Sequence, residues 1–327
     1  MPITYKDEIF SIDGYSKVIK SPFFFPSVSS IQTSYDVYDY FTLIQKTSYP
    51  AFLVSAYDLY YHPMRARFTK EISKLSQNGF TVLLDSGHYE AYWRSDKKWT
   101  FDKLKKILKG TEADLYFSFD VFYDEKKNRP KEHVKETIKY AAMTAGAQRY
   151  GITIPIIHGV PKNFTDIVKK VVKGISPEII GITERELGDS LLERASNLGL
   201  IRKELDKTGK NVAIHLLGTG NTTSLLVYFL CGADFFDALE WCKNVVNPVN
   251  GHLYHFAQMD LVDCSCAVCK IKNLPYPVRV TSHNLLFYKA FTDEIREALV
   301  NKRVDKLLTK YLPNHIISRL KKVSVRI

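Results

Sequence analysis

Short, nearly continuous apolar runs alternate with amphipathic stretches along most of the chain. The runs at 51–58 (AFLVSAYD), 81–85 (TVLLD), 115–120 (LYFSFD), 153–158 (TIPIIH), 179–182 (IIGI), 212–217 (VAIHLL) and 234–238 (DFFDA) show little polar alternation. That pattern predicts strands of a parallel sheet covered on both faces. Between them, 66–77, 100–109, 131–148, 163–173, 188–207 and 222–231 place apolar residues at helical spacing. Thr100 and Thr222 stand where N-caps belong, and Gly79, Gly110, Gly174 and Gly232 where helices should stop. Seven strand–helix units in succession predict an α/β fold, and an eighth strand at 251–256 (GHLYHF) would close a barrel.

A doubly wound nucleotide-binding sheet is the competing closure. It usually carries a glycine-rich first turn, and neither G-x-G-x-x-G nor a P-loop occurs; Gly218-Thr219-Gly220 is too short to count. The polar residues favour the barrel. Asp85, Asp120 and His158 end apolar runs and Asp237 lies near the end of another, and barrel enzymes build their sites at the C-terminal ends of strands. The expected organisation is an irregular or antiparallel, aromatic-rich cap (1–50), a (β/α)8 TIM-type barrel core (51–256), and a cysteine-bearing subdomain with C-terminal helices (257–327), including a long helix from about 284 to 301.

Composition narrows the class. The 327 residues are 45% hydrophobic and 13% aromatic, which excludes a disordered or fibrous chain. The longest apolar run, 225–236, is broken by Gly232 and Asp234 and falls short of the ~18 residues of a membrane span. The opening MPITYKDEIF has no basic stretch leading into an apolar one, so a soluble cytoplasmic protein without a membrane partner is expected. Lys and Arg outnumber Asp and Glu 46 to 35, a formal charge of +11. Such an excess is either a solvated basic surface or the footprint of a polyanion, most often nucleic acid.

Three of the five cysteines fall in Cys264-Ser-Cys266-Ala-Val-Cys269. In a chain without an export signal, this spacing reads as metal binding rather than disulfides. A tetrahedral zinc site needs a fourth ligand. His283, fourteen residues after Cys269, is the best candidate and His255 the fallback. Four protein ligands would make the site closed and structural.

The carboxylates suggest chemistry. Counted from the run at 51, Asp85 and Asp237 end strands two and seven, on either side of a barrel mouth. Two carboxylates across one pocket suit displacement at a glycosidic carbon, one attacking and the other handling protons. Gly87 and Gly181 would let a flat ligand approach the backbone, Tyr89 would stack on an aromatic base, and Asp120 would accept from its N–H groups. Ser86 and Gly218 lie in the same loops.

At these residues the chain resembles the tRNA-guanine transglycosylase family, over roughly residues 50–300. The ordered motifs are DSG at 85–87, FD at 119–120, HG at 158–159, GI at 181–182, LLGTG at 216–220, GADFFD at 232–237, CSCAVC at 264–269 and HN at 283–284, followed by EIREAL at 294–299. The resemblance implies an irregular (β/α)8 barrel with a zinc subdomain. It implies Asp237 as the nucleophile on C1′ of a guanosine, Asp85 as general acid/base and Asp120 as the carboxylate recognising the incoming base. It further implies that Tyr89 and Leu217 sandwich that base, that Gly181 offers it a backbone contact, and that Cys264, Cys266, Cys269 and His283 hold zinc. The reaction implied is a double displacement that replaces guanine in a nucleic acid with a 7-deazaguanine such as preQ0.

The chain departs from the family pattern at His88, where a second glycine is usual, and at His158, where a glutamine is usual. It also has Glu240-Trp241-Cys242-Lys243 in place of a Pro-Thr-Arg stretch, and a shorter gap from Cys269 to His283. Both histidines match base-pocket positions, so base contacts are expected of them. The variants resemble the branch of the family that modifies DNA, so DNA is the favoured polymer and tRNA the alternative. A non-catalytic nucleic-acid-binding subunit is the third reading, disfavoured because Asp85, Asp120 and Asp237 are all present. A homodimer and a DNA-handling ATPase partner are further implications of the resemblance.

Overall fold

The computed structural model describes residues 8–12, 15–31, 33–121 and 129–323. The chain starts with an antiparallel hairpin, β1 (Glu8–Ile12) and β2 (Tyr15–Ile19). The barrel strands follow: β3 (Phe23–Val28), β4 (Ala51–Ser55), β5 (Thr81–Asp85), β6 (Leu115–Phe117), β7 (Ile152–Ile154), β8 (Ile156–Ile157), β9 (Ile179–Thr183), β10 (Ala213–Leu217) and β11 (Phe235–Ala238). All pair in parallel, in the order β7-β6-β5-β4-β3-β11-β10-β9-β8. The two ends of that order are successive pieces of one segment, divided at Pro155, which has no N–H to give a ladder. The sheet is therefore a nearly closed barrel, eight-stranded if β7 and β8 count as one, with helices around it.

The helices pack as their patterns require. In Phe164–Ile175 the residues Phe164, Ile167, Val168, Val171 and Val172 recur at i, i+3, i+4, i+7 and i+8 and are all buried. Burying each such side chain contributes roughly 1.5–3 kcal/mol. One continuous apolar core runs from the barrel interior to these helices. Asn221, not Thr222, caps the helix Thr222–Leu230, its side chain accepting from the Ser224 N–H. Thr100 holds the N-cap position of Phe101–Gly110, without a side-chain capping bond. Gly110 ends that helix, while Gly174 lies inside Phe164–Ile175, and Ser176 takes up the left-handed turn after it.

Two expectations about closure are overturned together. Phe23–Val28 belongs to the barrel, not to an N-terminal cap: it pairs with β11 on one side and β4 on the other. Pro22 and Pro26 disguise it as irregular chain, because proline is unusual in a central strand. Since β3 fills that place, the stretch 251–256 is not an eighth barrel strand. Its residues Leu253–His255 form β13, antiparallel to β12 (Asn244–Val246), outside the barrel. Asp85 and Asp237 consequently stand on strands three and eight, with the same two-strand separation, now filled by β4 and β3.

The C-terminal part holds its own small core, Val245, Met259, Val262 and Val280, packed against Cys264 and Cys269. It is tied to the barrel by the long helix Tyr276–Val300. Tyr288 on that helix stacks on Phe24 at 4.1 Å and donates to the Gly220 carbonyl at 2.7 Å. At the opposite end of the barrel, Asp114 accepts from Lys17 Nζ (2.6 Å) and the Val82 N–H (2.7 Å), and Asp234 from Arg202 (3.0 Å) and the Ile214 N–H (2.9 Å). None of the described helices is long and apolar enough to cross a membrane.

Candidate active site

The C-terminal ends of the strands open into a cavity of about 510 Å³, in the size range of small-molecule sites. Asp85, Ser86, His88, Tyr89, Asp120, His158, Leu217, Gly218 and Asp237 all line it. Nine residues expected from the sequence to act together thus meet in one space. Gly87 and Gly181 do not line it. Gly87 has φ +84°, and a Cβ there would lie 2.7 Å from the Tyr57 nitrogen and 2.9 Å from the Trp99 ring. Gly181 faces the Phe117 ring and Leu217. Both glycines are closely packed, so neither position has room for a side chain.

Asp237 is held at both oxygens. Ser27 donates to Oδ2 at 3.1 Å, and His215 Nε2 lies 2.9 Å from Oδ1. His215 is wholly buried among Phe25, Phe117 and Phe235, and its Nδ1 meets no partner among the described residues. With Nδ1 bare in an apolar cage, Nε2–H is the donor to Asp237. The carboxylate is thereby aimed, with lone pairs left over for attack.

Asp85 has a different environment. It accepts from the Gly87 N–H at 2.8 Å and has no cation within ion-pair distance among the described residues. Burial lifts its carboxyl to about 7; the negative charges of Asp237 and Asp120 add to the rise, and the Gly87 N–H opposes it. Behind it Glu90, nearly inaccessible, accepts from Ser29 (2.5 Å) and Ser55 (2.6 Å), and burial, with the charges of Asp58 and Asp85, lifts it to about 8. Two neighbouring carboxyls are therefore poised near neutrality, one of them in the same cavity as the oriented Asp237.

His158 departs from its expected role. Its Nε2 lies 2.6 Å from Asp120 Oδ1 and its Nδ1 2.6 Å from Glu186 Oε1. Burial opposes a charged ring, but the two carboxylates outweigh it and lift His158 to about 10. Both N–H groups of the imidazolium are committed to carboxylates, so His158 positions Asp120 rather than touching a base through its nitrogens. In return, against the cost of burial, the imidazolium holds Asp120 below the usual carboxylate range. Burial and the His158 charge push neighbouring His133 down to about 4. His88 is likewise held low, mainly by burial, and its Nδ1 accepts from the Asp120 N–H at 3.4 Å.

No protein-family model matches the chain, and no curated protein matches it in sequence. The function therefore has to be argued from the site itself.

Cys264, Cys266, Cys269 and His283 form a cluster that could hold a metal ion, their ligand atoms all within 4.8 Å of one another. His283 Nδ1 lies 3.7 Å from Cys266 Sγ and 3.5 Å from Cys269 Sγ, while its Nε2–H donates to the Val246 carbonyl at 2.8 Å. That second bond fixes the tautomer a metal-binding imidazole needs. His255, the fallback, instead caps the short helix Phe256–Leu261 and stays outside the cluster.

Sequence reading missed Ser27, Glu90 and His215 and left Glu186 without a role. His215 did leave a trace: a histidine inside a wholly apolar strand is costly unless partnered. Ser27 and Glu90 left none, because their partners lie 210 and 35 residues away in the chain.

Proposed function

We propose that the protein is a guanine transglycosylase that exchanges guanine in a nucleic acid, DNA in preference to tRNA, for a 7-deazaguanine base such as preQ0. The observation that carries this reading is the shared cavity of an Asp237 oriented by Ser27 and His215 and a carboxyl lifted to about 7 at Asp85. An Asp237 oxygen attacks C1′, and a C1′–O ester bond forms. The C1′–N9 bond breaks, and its electron pair leaves with guanine, which takes a proton from Asp85. In the second half, the ionised Asp85 removes the N9 proton of the incoming base. N9 attacks C1′, the ester bond breaks, and Asp237 leaves as the carboxylate. Two inversions give retention. A group near 7 serves both as acid and as base at neutral pH. Asp120, kept ionised by His158, accepts from N–H groups of the base, and Tyr89 and Leu217 offer flat apolar walls.

The preference for DNA rests on the residues around the nucleophile, Glu240 to Lys243, and on His88 and His158. The test is to incubate the purified chain with labelled guanine and either duplex DNA or tRNA. Label is expected in DNA; label in tRNA alone overturns the polymer, and label in neither overturns exchange by the isolated chain.

The metal we propose at the Cys3His cluster is zinc, held by Cys264, Cys266, Cys269 and His283 in a closed structural site. It would brace the C-terminal subdomain and supply no chemistry to the cavity. Metal analysis should find about one zinc per chain, and Cys266→Ala should lower that content and loosen the C-terminal segment in proteolysis. Unchanged stoichiometry in the variant removes the site.

A further inference from the structure

Fourteen large apolar side chains of the described residues are exposed, and two of them, Tyr92 and Trp93, line the cavity. They are 66% and 50% exposed, on the short helix His88–Trp93 that follows the Asp85 loop. The inner face of that helix is fixed: Ala91 is buried, and Glu90 is gripped by Ser29 and Ser55. Its outer face carries rings at graded depth. Tyr89 is half-buried in the cavity, and Trp93 stands one turn further out, with 6.3 Å between their ring centroids. Exposed cations follow at once, Arg94, Lys97 and Lys98, while Arg185 and Lys243, also exposed, belong to the lining of the cavity. Folding offers no reason to leave an indole at a cavity lip. Aromatic rings beside positive charge are the means by which proteins hold unstacked nucleobases.

We infer that Trp93, with Tyr92 beside it, is a stacking plug for duplex DNA. It enters the helix where the target nucleotide has turned out into the cavity, and stacks on the bases left behind. This rests on the base-exchange reading above. A base within a duplex cannot reach Asp237 without leaving its stack, and the vacated place favours an apolar, flat replacement. A base in a single-stranded loop is already unstacked and leaves no such gap, so the plug points to a duplex rather than to a tRNA loop.

The chain has three tryptophans, and Trp99 and Trp241 are buried, so quenching of indole fluorescence on adding nucleic acid reports on Trp93. A 25-base-pair duplex of mixed sequence is expected to quench it, and tRNA at equal nucleotide concentration to quench it less. Trp93→Ala is expected to weaken binding of the same duplex, fluorescently labelled and followed by anisotropy, about tenfold, the loss of one base–aromatic stack. Trp93→Phe should restore most of that loss. In the exchange assay, Trp93→Ala should lower incorporation into duplex DNA several-fold more than into the same DNA after heat denaturation. Equal losses on both, no quenching by the duplex, or stronger quenching by tRNA overturns the plug. Quenching and the binding loss without any exchange by the unaltered chain would leave the plug standing and remove the base-exchange reading instead.

Discussion

Two pairs of buried carboxyls, one at each end of the barrel, are treated in opposite ways. At the N-terminal end, Asp114 meets Lys17 and Asp234 meets Arg202, and each also accepts a backbone N–H from a neighbouring strand. At the C-terminal end, Asp85 and Glu90 have only hydroxyl and amide donors and no cation within ion-pair distance among the described residues; burial pushes them up to about 7 and 8, with the charges of Asp237 and Asp120 adding at Asp85 and those of Asp58 and Asp85 at Glu90. The same residue types thus fasten strands together at one end and hold protons at the other. Charge compensation separates the two pairs: Asp114 and Asp234 face cations, while the uncompensated Asp85 and Glu90 keep their protons until near neutral pH. A carboxyl that readily gains and loses a proton is what acid/base work requires.

The contrast can be tested at both ends. The largest effect is expected from Asp237→Asn. Exchange should fall at least about a thousandfold, because the amide keeps the hydrogen bonds but is a poor nucleophile. Its melting temperature should stay within a few degrees of the parent; near-normal turnover removes Asp237 from its role. Asp234→Asn is the mirror experiment. It removes the buried partner of Arg202, leaving the longer contact to the exposed Asp206 at 3.6 Å, and should cost up to roughly 3–5 kcal/mol in denaturant unfolding, with exchange per folded molecule unchanged. A loss of activity without a loss of stability would erase the distinction between the ends.

The smallest effect depends on pH. Folded-state values of Asp85 and Glu90 lie above those of the unfolded chain, so their stabilising protons are fully present below pH ~4 and lost as pH rises through about 7 to 8. Asp85→Asn and Glu90→Gln remove that loss. Each should raise the melting temperature by roughly 2–4 °C at pH 9 and change it little at pH 5. Equal shifts at both pH values would mean that neither carboxyl carries a shifted proton.

What the sequence disclosed follows from how local each signal is. Seven of the strands stand out as apolar runs, and the cysteine cluster as a tight spacing, because every needed residue lies within a short window. β3 stayed hidden behind Pro22 and Pro26, and its absence from the count moved Asp85 and Asp237 to the wrong strand numbers and invented an eighth strand at 251–256. The cavity residues were legible as polar residues ending strands. Their support was not. His215 and Ser27 under Asp237, and Glu186 behind His158, come from other strands and loops and become neighbours only when the barrel closes. Those contacts also reversed one role: His158 has the position of a base contact but is saturated by Asp120 and Glu186.

The helix Tyr276–Val300 gathers three attachments within two turns. His283 sits in the cysteine cluster, Asn284 holds the carbonyls of Trp241 and Asn244 and the N–H of Val246, and Tyr288 grips Gly220. Trp241 lies within, and Asn244 directly after, the ledge that presents Glu240 and Lys243 to the cavity, and the Trp241 indole is itself anchored on the Ser27 carbonyl. The cysteine loop and that ledge thus share neighbouring anchors on one helix, so loosening of the first is expected to be felt at the second through Asn284.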